Sequence, residues 1–239
     1  MSIGPRRRFR GFAQVVARNI GKNVGKIVGV NIVPLLVSFE AFAAGPRGYT
    51  PLVLDCDRDR KIAVTDKMVT FDINGDDSPD TISWIAPTEG FLAIDLNNNG
   101  SIDSGAELFG GATRIVKTGA IAKDGFKALR QYDENGDGVI DRQDAAVFGR
   151  LVIWQDQNTD GVGGEAELIP ISATRVMSFT VVPSKTFSSF QRLLSDGRSY
   201  IEAQGEYSLS GQKRSFLLAD VVFFVEKKLS FNAPGVKER

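Results

Sequence analysis

The sequence predicts an α+β domain in which β-hairpins alternate with cation-binding loops and short helices, closed by antiparallel strands at the C-terminal end. Acidic, oxygen-rich segments recur five times between residues 55 and 167. Apolar residues flank one of them at the three-residue spacing of helices. After residue 168 the acidic segments stop, and apolar and polar residues alternate as in strands. We call the acidic segments loops A to E, at residues 55–60, 72–80, 95–107, 133–144 and 156–167.

Loop D, DENGDGVIDRQD, fits an EF-hand calcium loop position by position. Such a loop takes oxygens from positions 1, 3, 5, 7, 9 and 12 and has glycine at position 6 for a sharp turn. Gly138 is at position 6, and the predicted ligands are Asp133, Asn135, Asp137, the Val139 carbonyl, Asp141 and Asp144. Because position 12 is aspartate rather than the longer glutamate, we expect weak or moderate calcium affinity. Apolar residues at 126, 129 and 132, and again at 145, 148 and 151, predict a helix on each side. The predicted fold is therefore one of β-hairpins alternating with EF-hand-like calcium loops.

The charge of the chain is concentrated although its formal sum is zero. Residues 55–167 hold 22 acidic and 11 basic side chains, a net charge of −11, and both flanks are basic. This distribution favours cations and gives no indication of nucleic-acid binding. The sequence contains no histidine, which excludes the common zinc sites and any Ser-His or Cys-His nucleophile pair. The single cysteine, Cys56, excludes an internal disulfide.

Residues 1–43 predict an export signal, because a basic start with arginines at 6, 7, 8 and 10 precedes an apolar run at 27–39. Ala41-Phe42-Ala43 fits the small-x-small cleavage rule. An alternative is a basic amphipathic helix lying on a membrane surface. Export would place the protein in the periplasm or outside the cell, with membrane contact through this segment alone. Residues 44–49 would then be a linker.

Loop A follows a predicted strand and carries Asp55, Asp57 and Asp59 at alternate positions. Three neighbouring carboxylates predict a cation site. Arg58 and Arg60 stand where a calcium turn favours glycine, so the alternative is that these arginines neutralise the carboxylates.

Loops B, C and E have the oxygen spacing of a calcium loop, but they differ in which ligand positions are filled. Loop B has no acid at position 12, so it is either a reduced cation site or a polar hairpin turn; its predicted ligands are Asp72, Asn74, Asp76, Ser78 and Asp80. In loop C the last carboxylate falls at position 13; the predicted ligands are Asp95, Asn97, Asn99, Ser101, Asp103 and Glu107. Loop E has an acid at position 12; the predicted ligands are Asp156, Asn158, Asp160, Val162 and Glu167. Because 11 residues separate loop D from loop E, we expect these two to pair around one connecting helix.

Two strands joined by a Ser210-Gly211 turn are predicted over residues 199–209 and 213–225. Tyr200, Ala203 and Tyr207 are expected in the core, the alternative being an exposed aromatic surface. Residues 50–226 form the predicted calcium-binding module, and residues 227–239 form a tail.

Taken in order, five runs resemble the calcium-binding, EF-hand-containing module of bacterial RTX-type exported proteins. They are PLVLDCDRD, FDINGDDSPDTISW, GFLAIDLNNNGSIDSGAELFG, GFKALRQYDENGDGVIDRQDAA and LVIWQDQNTDGVGGEAEL. The family includes the self-processing module of the iron-regulated RTX proteins, and the resemblance covers about residues 50–226. The nine-residue glycine-rich RTX repeats are absent from this sequence.

The resemblance implies that calcium folds the module, and that self-processing members then break an Asp-Pro bond at their N-terminal edge and can link to a lysine. The matching bond here is Thr50-Pro51, and no Asp-Pro pair exists in the chain. Threonine has no carboxylate to attack its own carbonyl carbon, so we expect no catalytic residues. The expected function is an exported module that folds or is stabilised on binding several Ca²⁺ ions. The alternatives are a self-processing enzyme, or a dockerin-like interaction module with an unidentified protein partner.

Overall fold

The computed structural model describes residues 49–188 and 191–226, and strands dominate this part of the chain. The expected α+β class is wrong, because the fold is mainly β. The strands are, in order, β1 Leu52–Asp55, β2 Val64–Phe71, β3 Asp80–Ile85, β4 Glu89–Ile94, β5 Val139–Asp141, β6 Leu151–Trp154, β7 Leu168–Pro170, β8 Val176–Thr180, β9 Lys185–Thr186, β10 Tyr200–Leu209, β11 Phe216–Val222 and β12 Val225–Glu226. The predicted N-terminal signal and C-terminal tail lie outside the described residues.

Helix is confined to short segments within the described ranges. Helix α1 spans Gly125–Arg130, helix α2 spans Ala145–Phe148, and two single 3-10 turns lie at Glu165–Glu167 and Ile171–Ala173. The prediction that apolar residues 145, 148 and 151 lie on one helix is wrong, because Leu151 begins β6. A strand therefore follows α2, although one helix was expected to connect loops D and E. None of the described helices is long and apolar enough to cross a membrane.

The strands form two antiparallel sheets. The larger sheet has the order β5-β8-β10-β11-β1-β4-β6-β7, with β9 added beside β10, and the smaller sheet has the order β12-β3-β2. The C-terminal hairpin of β10 and β11 confirms the two strands expected there. It lies in the middle of the large sheet, however, because β11 pairs with β1 on its other side.

The large sheet is buried on both faces, which explains the nearly continuous apolar sequence of its central strands. Leu52, Leu54 and Leu92 point to one face, where they pack with Phe126 and Leu129 of α1. Val53 and Phe91, which alternate with these leucines, point to the other face, towards the smaller sheet. The second cluster, on that face, also includes Phe71, Trp84, Ala93, Trp154, Ala219 and Phe223. Tyr207 and Ala203 are buried, which confirms the expected core positions for these two residues.

Aromatic rings concentrate in the cluster between the sheets. The ring centroids of Trp84 and Phe91 lie 4.9 Å apart, and those of Trp84 and Trp154 lie 5.4 Å apart. Phe71 contacts both tryptophans at 5.4 and 5.5 Å. Tilted and edge-to-face ring pairs of this kind add about 0.5–1.5 kcal/mol each beyond the area that they bury.

Loops B and C contact each other through a backbone hydrogen bond. The amide of Gly105 donates to the carbonyl oxygen of Asp72 at 2.7 Å, and Asp72 forms a bridge with Ser104. A Cβ atom on Gly105 would lie 1.9 Å from the carbonyl oxygen of Ile73. The two loops can approach this closely only because residue 105 has no side chain.

We expect Gly105→Ala to lower the free energy of unfolding by about 3 kcal/mol, because the backbone of Ile73 has to move to admit the methyl group. Urea denaturation of the full chain measures this change. Gly149→Ala is the matched control, since a Cβ there meets no atom within 4 Å and the backbone is helical. Equal stabilities of the two variants would show that the contact between loops B and C does not need glycine.

Candidate metal centres

The five acidic loops share one backbone conformation. In every loop the fourth and sixth residues have positive φ values, between 57° and 88°. The ten residues are Arg58 and Arg60, Gly75 and Asp77, Asn98 and Gly100, Gly136 and Gly138, and Thr159 and Gly161. Loop A therefore adopts the same turn as loop D although arginines replace both glycines.

The first carboxylate of each loop closes this turn. One of its oxygens accepts a hydrogen bond from the amide of the sixth residue, at 2.8–3.1 Å in all five loops. The fifth side chain likewise accepts from the amide of the seventh residue, at 2.8–3.0 Å. The hydrogen bonds thus orient the oxygens at positions 1 and 5 in the same way in each loop.

Three loops end with an acidic side chain that folds back over the loop. Glu107 accepts the amides of Leu96 and Asp103, the second and ninth residues of loop C, at 2.9 and 2.8 Å. Asp144 accepts the corresponding amides of loop D, from Glu134 and Asp141, at 2.9 and 3.0 Å. We call such a group the closing carboxylate.

Loop E has a closing carboxylate with a different second partner. Glu167 accepts the amide of the second residue, Gln157, at 3.0 Å, and also the indole N–H of Trp154 at 3.4 Å. Loop B has no acid at the corresponding position, and the buried Oδ1 of Asn74 has no hydrogen-bond partner in the described structure. Loop B is therefore the least complete of the five.

Loop A brings three carboxylates close together. Carboxylate oxygens of Asp55, Asp57 and Asp59 lie within 4.8 Å of one another, so the three residues can hold a metal ion. No other trio of acidic, cysteine or histidine ligand atoms in the described ranges meets this distance. Burial raises the pKa of Asp55, and the neighbouring Asp57 raises it further.

One basic side chain, Lys61, pairs with a loop A carboxylate, that of Asp59, while Asp55 and Asp57 have no ion pair within 4 Å to any described residue. The ion pairs within 4 Å that involve described residues are Lys61–Asp59 and Lys127–Asp124. Arg58 instead places its guanidinium carbon 5.7 Å from the ring centre of Phe216, as a cation–π contact. Neither Arg58 nor Arg60 forms an ion pair within 4 Å of the three aspartates, so the alternative in which they neutralise loop A gains no direct contact.

The sequence did not identify Glu89, which lies beside loop A. This first residue of β4 is 1% exposed, and its Oε1 accepts the amide of Ala63 at 3.1 Å. Burial raises the pKa of Glu89 to about 8, and the charges of Asp57 and Asp55 also raise it. The sequence signal for Glu89 is the single acidic residue that begins an otherwise apolar strand, EGFLAI.

The structure pairs loop E with loop C, so the expected pairing of loops D and E is wrong. Ile102, at position 8 of loop C, forms an antiparallel bridge with Gly163, at position 8 of loop E. The amide and hydroxyl bonds from Ile102 and Ser101 to the Gly163 carbonyl measure 3.1 and 2.7 Å. The equivalent residue of loop D, Ile140, instead pairs with Phe179 of β8.

Loop E is also tied to the aromatic cluster between the sheets. The indole N–H of Trp84 donates to Oδ2 of Asp156 at 2.7 Å, and both residues are fully buried. Asp156 also accepts the amides of Thr159 and Gly161. A core residue of the smaller sheet therefore orients the first carboxylate of this loop.

Comparison with known proteins identifies the family of this chain. Residues 52–223 match the SPM domain. The chain belongs to the SPM domain family. A stretch of 163 residues in this SPM domain protein is 36% identical to the iron-regulated protein FrpA of Neisseria meningitidis serogroup C, which confirms the expected relation to the iron-regulated proteins. The match covers 67% of this chain and 14% of that relative, so the chain spans a small part of the relative's length.

We expect Asp133→Ala to weaken calcium binding more than Asp72→Ala, by about tenfold or 1.4 kcal/mol. Loop D has a buried closing carboxylate, whereas loop B of this SPM domain has none. Calorimetric titration with calcium compares the two variants. Equal losses would show that the closing carboxylate does not determine which loop binds more strongly.

Proposed function

We propose that this SPM domain is an exported calcium-binding module that folds or is stabilised on binding several calcium ions, and that it has no catalytic activity. The shared conformation of the five loops carries the proposal. Each loop holds oxygens at positions 1 and 5 with the same backbone amides. Short loops that present several oxygens in this spacing are the usual protein sites for calcium.

The chemistry of the donors fits calcium. The predicted ligands are carboxylate, amide and carbonyl oxygens, which hard cations prefer, and no thiolate or imidazole is among them. Asp55, Asp144, Asp156 and Glu107 are buried. Carboxylates without a positive partner are costly to bury. When bound, calcium would supply the positive charge that the surrounding side chains do not provide.

Stabilisation follows from this charge balance. Without cations the clustered carboxylates repel one another, and a ligand that binds the folded chain alone adds its binding free energy to stability. We place this event after export, because calcium is scarce in the cytoplasm. The N-terminal sequence at 1–43 supports export.

We rank the dockerin-like alternative below this proposal, because it requires paired loops that present helices to a partner. The structure brings loop C against both loop B and loop E, and the segments that follow the closing residues of loops C and E are not long helices.

The self-processing alternative concerns the Thr50-Pro51 bond, which is buried. Thr50 is 2% exposed, and a Cβ on Gly110 would lie 2.8 Å from the Thr50 carbonyl oxygen. Asp220 lies nearby on β11, opposite Leu52, and burial raises its pKa well above the usual range. The bond is thus held within the fold, but residue 50 itself carries no carboxylate.

We expect calcium to raise the thermal unfolding temperature of the full chain, and calorimetry to count more than one bound ion. A site held at 100 times its dissociation constant adds about 2.7 kcal/mol of stability. Magnesium at equal ionic strength is the control for simple charge screening. An unfolding temperature unchanged by calcium, with no heat of binding, would refute the proposed function.

We expect no cleavage at Thr50-Pro51 when calcium is added, because the side chain at residue 50 lacks the attacking carboxylate. Mass spectrometry of the intact chain after incubation at neutral and mildly acidic pH measures the outcome. Thr50→Asp, checked for folding by circular dichroism, is the companion variant. A calcium-dependent wild-type fragment ending at Thr50 would replace the binding proposal with a self-processing one.

A further inference from the structure

Glu89 is a buried acidic residue at the start of an otherwise apolar strand. Its neighbours in β4 are apolar and fully buried, and Glu89 itself is 1% exposed. It lies directly opposite Asp55 in the antiparallel pairing of β4 with β1. Residues opposite each other in such a pair project their side chains to the same face. Glu89 is therefore buried against the first carboxylate of loop A.

One oxygen of Glu89 has a partner and the other does not. Oε1 accepts the amide of Ala63 at 3.1 Å and the hydroxyl of Thr88 at 3.4 Å. Oε2 is buried and has no hydrogen-bond partner in the described structure. Leaving a carboxylate oxygen buried and unpaired is costly, so such an atom points to a ligand.

The hydrogen-bond partner of Oε1 indicates the role of Glu89 in loop A. Ala63 is the ninth residue counted from Asp55. In loops C and D the amide of the ninth residue donates to the closing carboxylate, from Asp103 to Glu107 and from Asp141 to Asp144. Glu89 accepts the same amide that a closing carboxylate accepts.

The sequence of loop A contains no residue that takes this role. The twelfth residue from Asp55 is Asp66, which is exposed on β2. Loop A otherwise has the turn of its four counterparts, with Arg58 and Arg60 at positive φ. Loop A lacks the closing carboxylate of loops C, D and E, and β4 brings a carboxylate to that place.

We propose that Glu89 is the closing ligand of a divalent-cation site whose other carboxylates are Asp55, Asp57 and Asp59. The proposal rests on the proposed calcium binding and extends it, since it assigns a ligand from a strand remote in sequence. Four carboxylates and no soft donor select a hard cation, and calcium accepts this many oxygens more readily than magnesium does. The site exists only where β1 and β4 are paired, so binding there depends on assembly of the large sheet.

The test compares Glu89→Gln with wild type and with Glu134→Gln in the full chain. Glu134 is an exposed loop residue at a position that supplies no ligand, so it controls for the loss of one negative charge. Calcium calorimetry should show one fewer ion bound to Glu89→Gln, or one site weakened at least about tenfold. Glu134→Gln should match wild type.

Thermal unfolding separates a ligand from a structural residue. Without calcium, Glu89→Gln should unfold at the wild-type temperature or above it, because the amide keeps the shape of the side chain and cannot ionise in the buried position. With calcium, its gain in unfolding temperature should be smaller than that of wild type. A residue needed only for packing would instead lower the unfolding temperature equally in both conditions.

The outcomes distinguish the two proposals. If wild type itself binds no calcium, the proposed function fails. If wild type binds calcium and Glu89→Gln matches Glu134→Gln in stoichiometry, affinity and thermal gain, calcium binding stands and the assignment of Glu89 is overturned. Loss of one site in Glu89→Gln with retention of the others supports the assignment.

Discussion

A single hydrogen bond determines the shape of every acidic loop: the first carboxylate accepts the amide of the sixth residue. To form it, the chain turns back within six residues and places the fourth and sixth residues at positive φ. Glycine adopts this conformation freely, whereas a residue with a side chain pays roughly 1–2 kcal/mol. Arg58, Arg60, Asp77, Asn98 and Thr159 all adopt it. Backbone strain and carboxylate repulsion therefore act together at the same places, and a bound cation would offset both.

The strands of the sheets position these strained loops, whereas hydrogen bonds within each loop form its turn. Loop A leaves the end of β1, and loop E follows β6 after one intervening residue. The indole of Trp84 joins the first carboxylate of loop E to the aromatic cluster between the sheets. Since the cluster includes residues from both sheets, the position of the Asp156 side chain depends on the contact between them. The core and loop E are therefore linked.

Local features of this chain could be predicted from the sequence, and features that join distant segments could not. Turn positions in loops A to E depend on residues within six positions of one another, so spacing located them. Short apolar repeats are ambiguous between helix and strand, and for this reason Leu151 was placed in a helix when it begins β6. The pairing of Ile102 with Gly163 and the contact of Glu89 with Ala63 depend on the sheet order. No spacing rule within a loop contains that information, although the lone acid of EGFLAI marked Glu89 as unusual.

The position of β11 affects the order in which the molecule can assemble. This strand lies between β1 and β10, so Val53, near the start of the fold, pairs with Ala219, near its end. A ribosome releases the two strands far apart in time, and β1 has no neighbour on that side until the final hairpin emerges. Contacts of such long sequence separation slow folding. The large sheet therefore stays incomplete until β11 has been synthesised, and a domain with an incomplete sheet is still open enough to be threaded through a narrow pore.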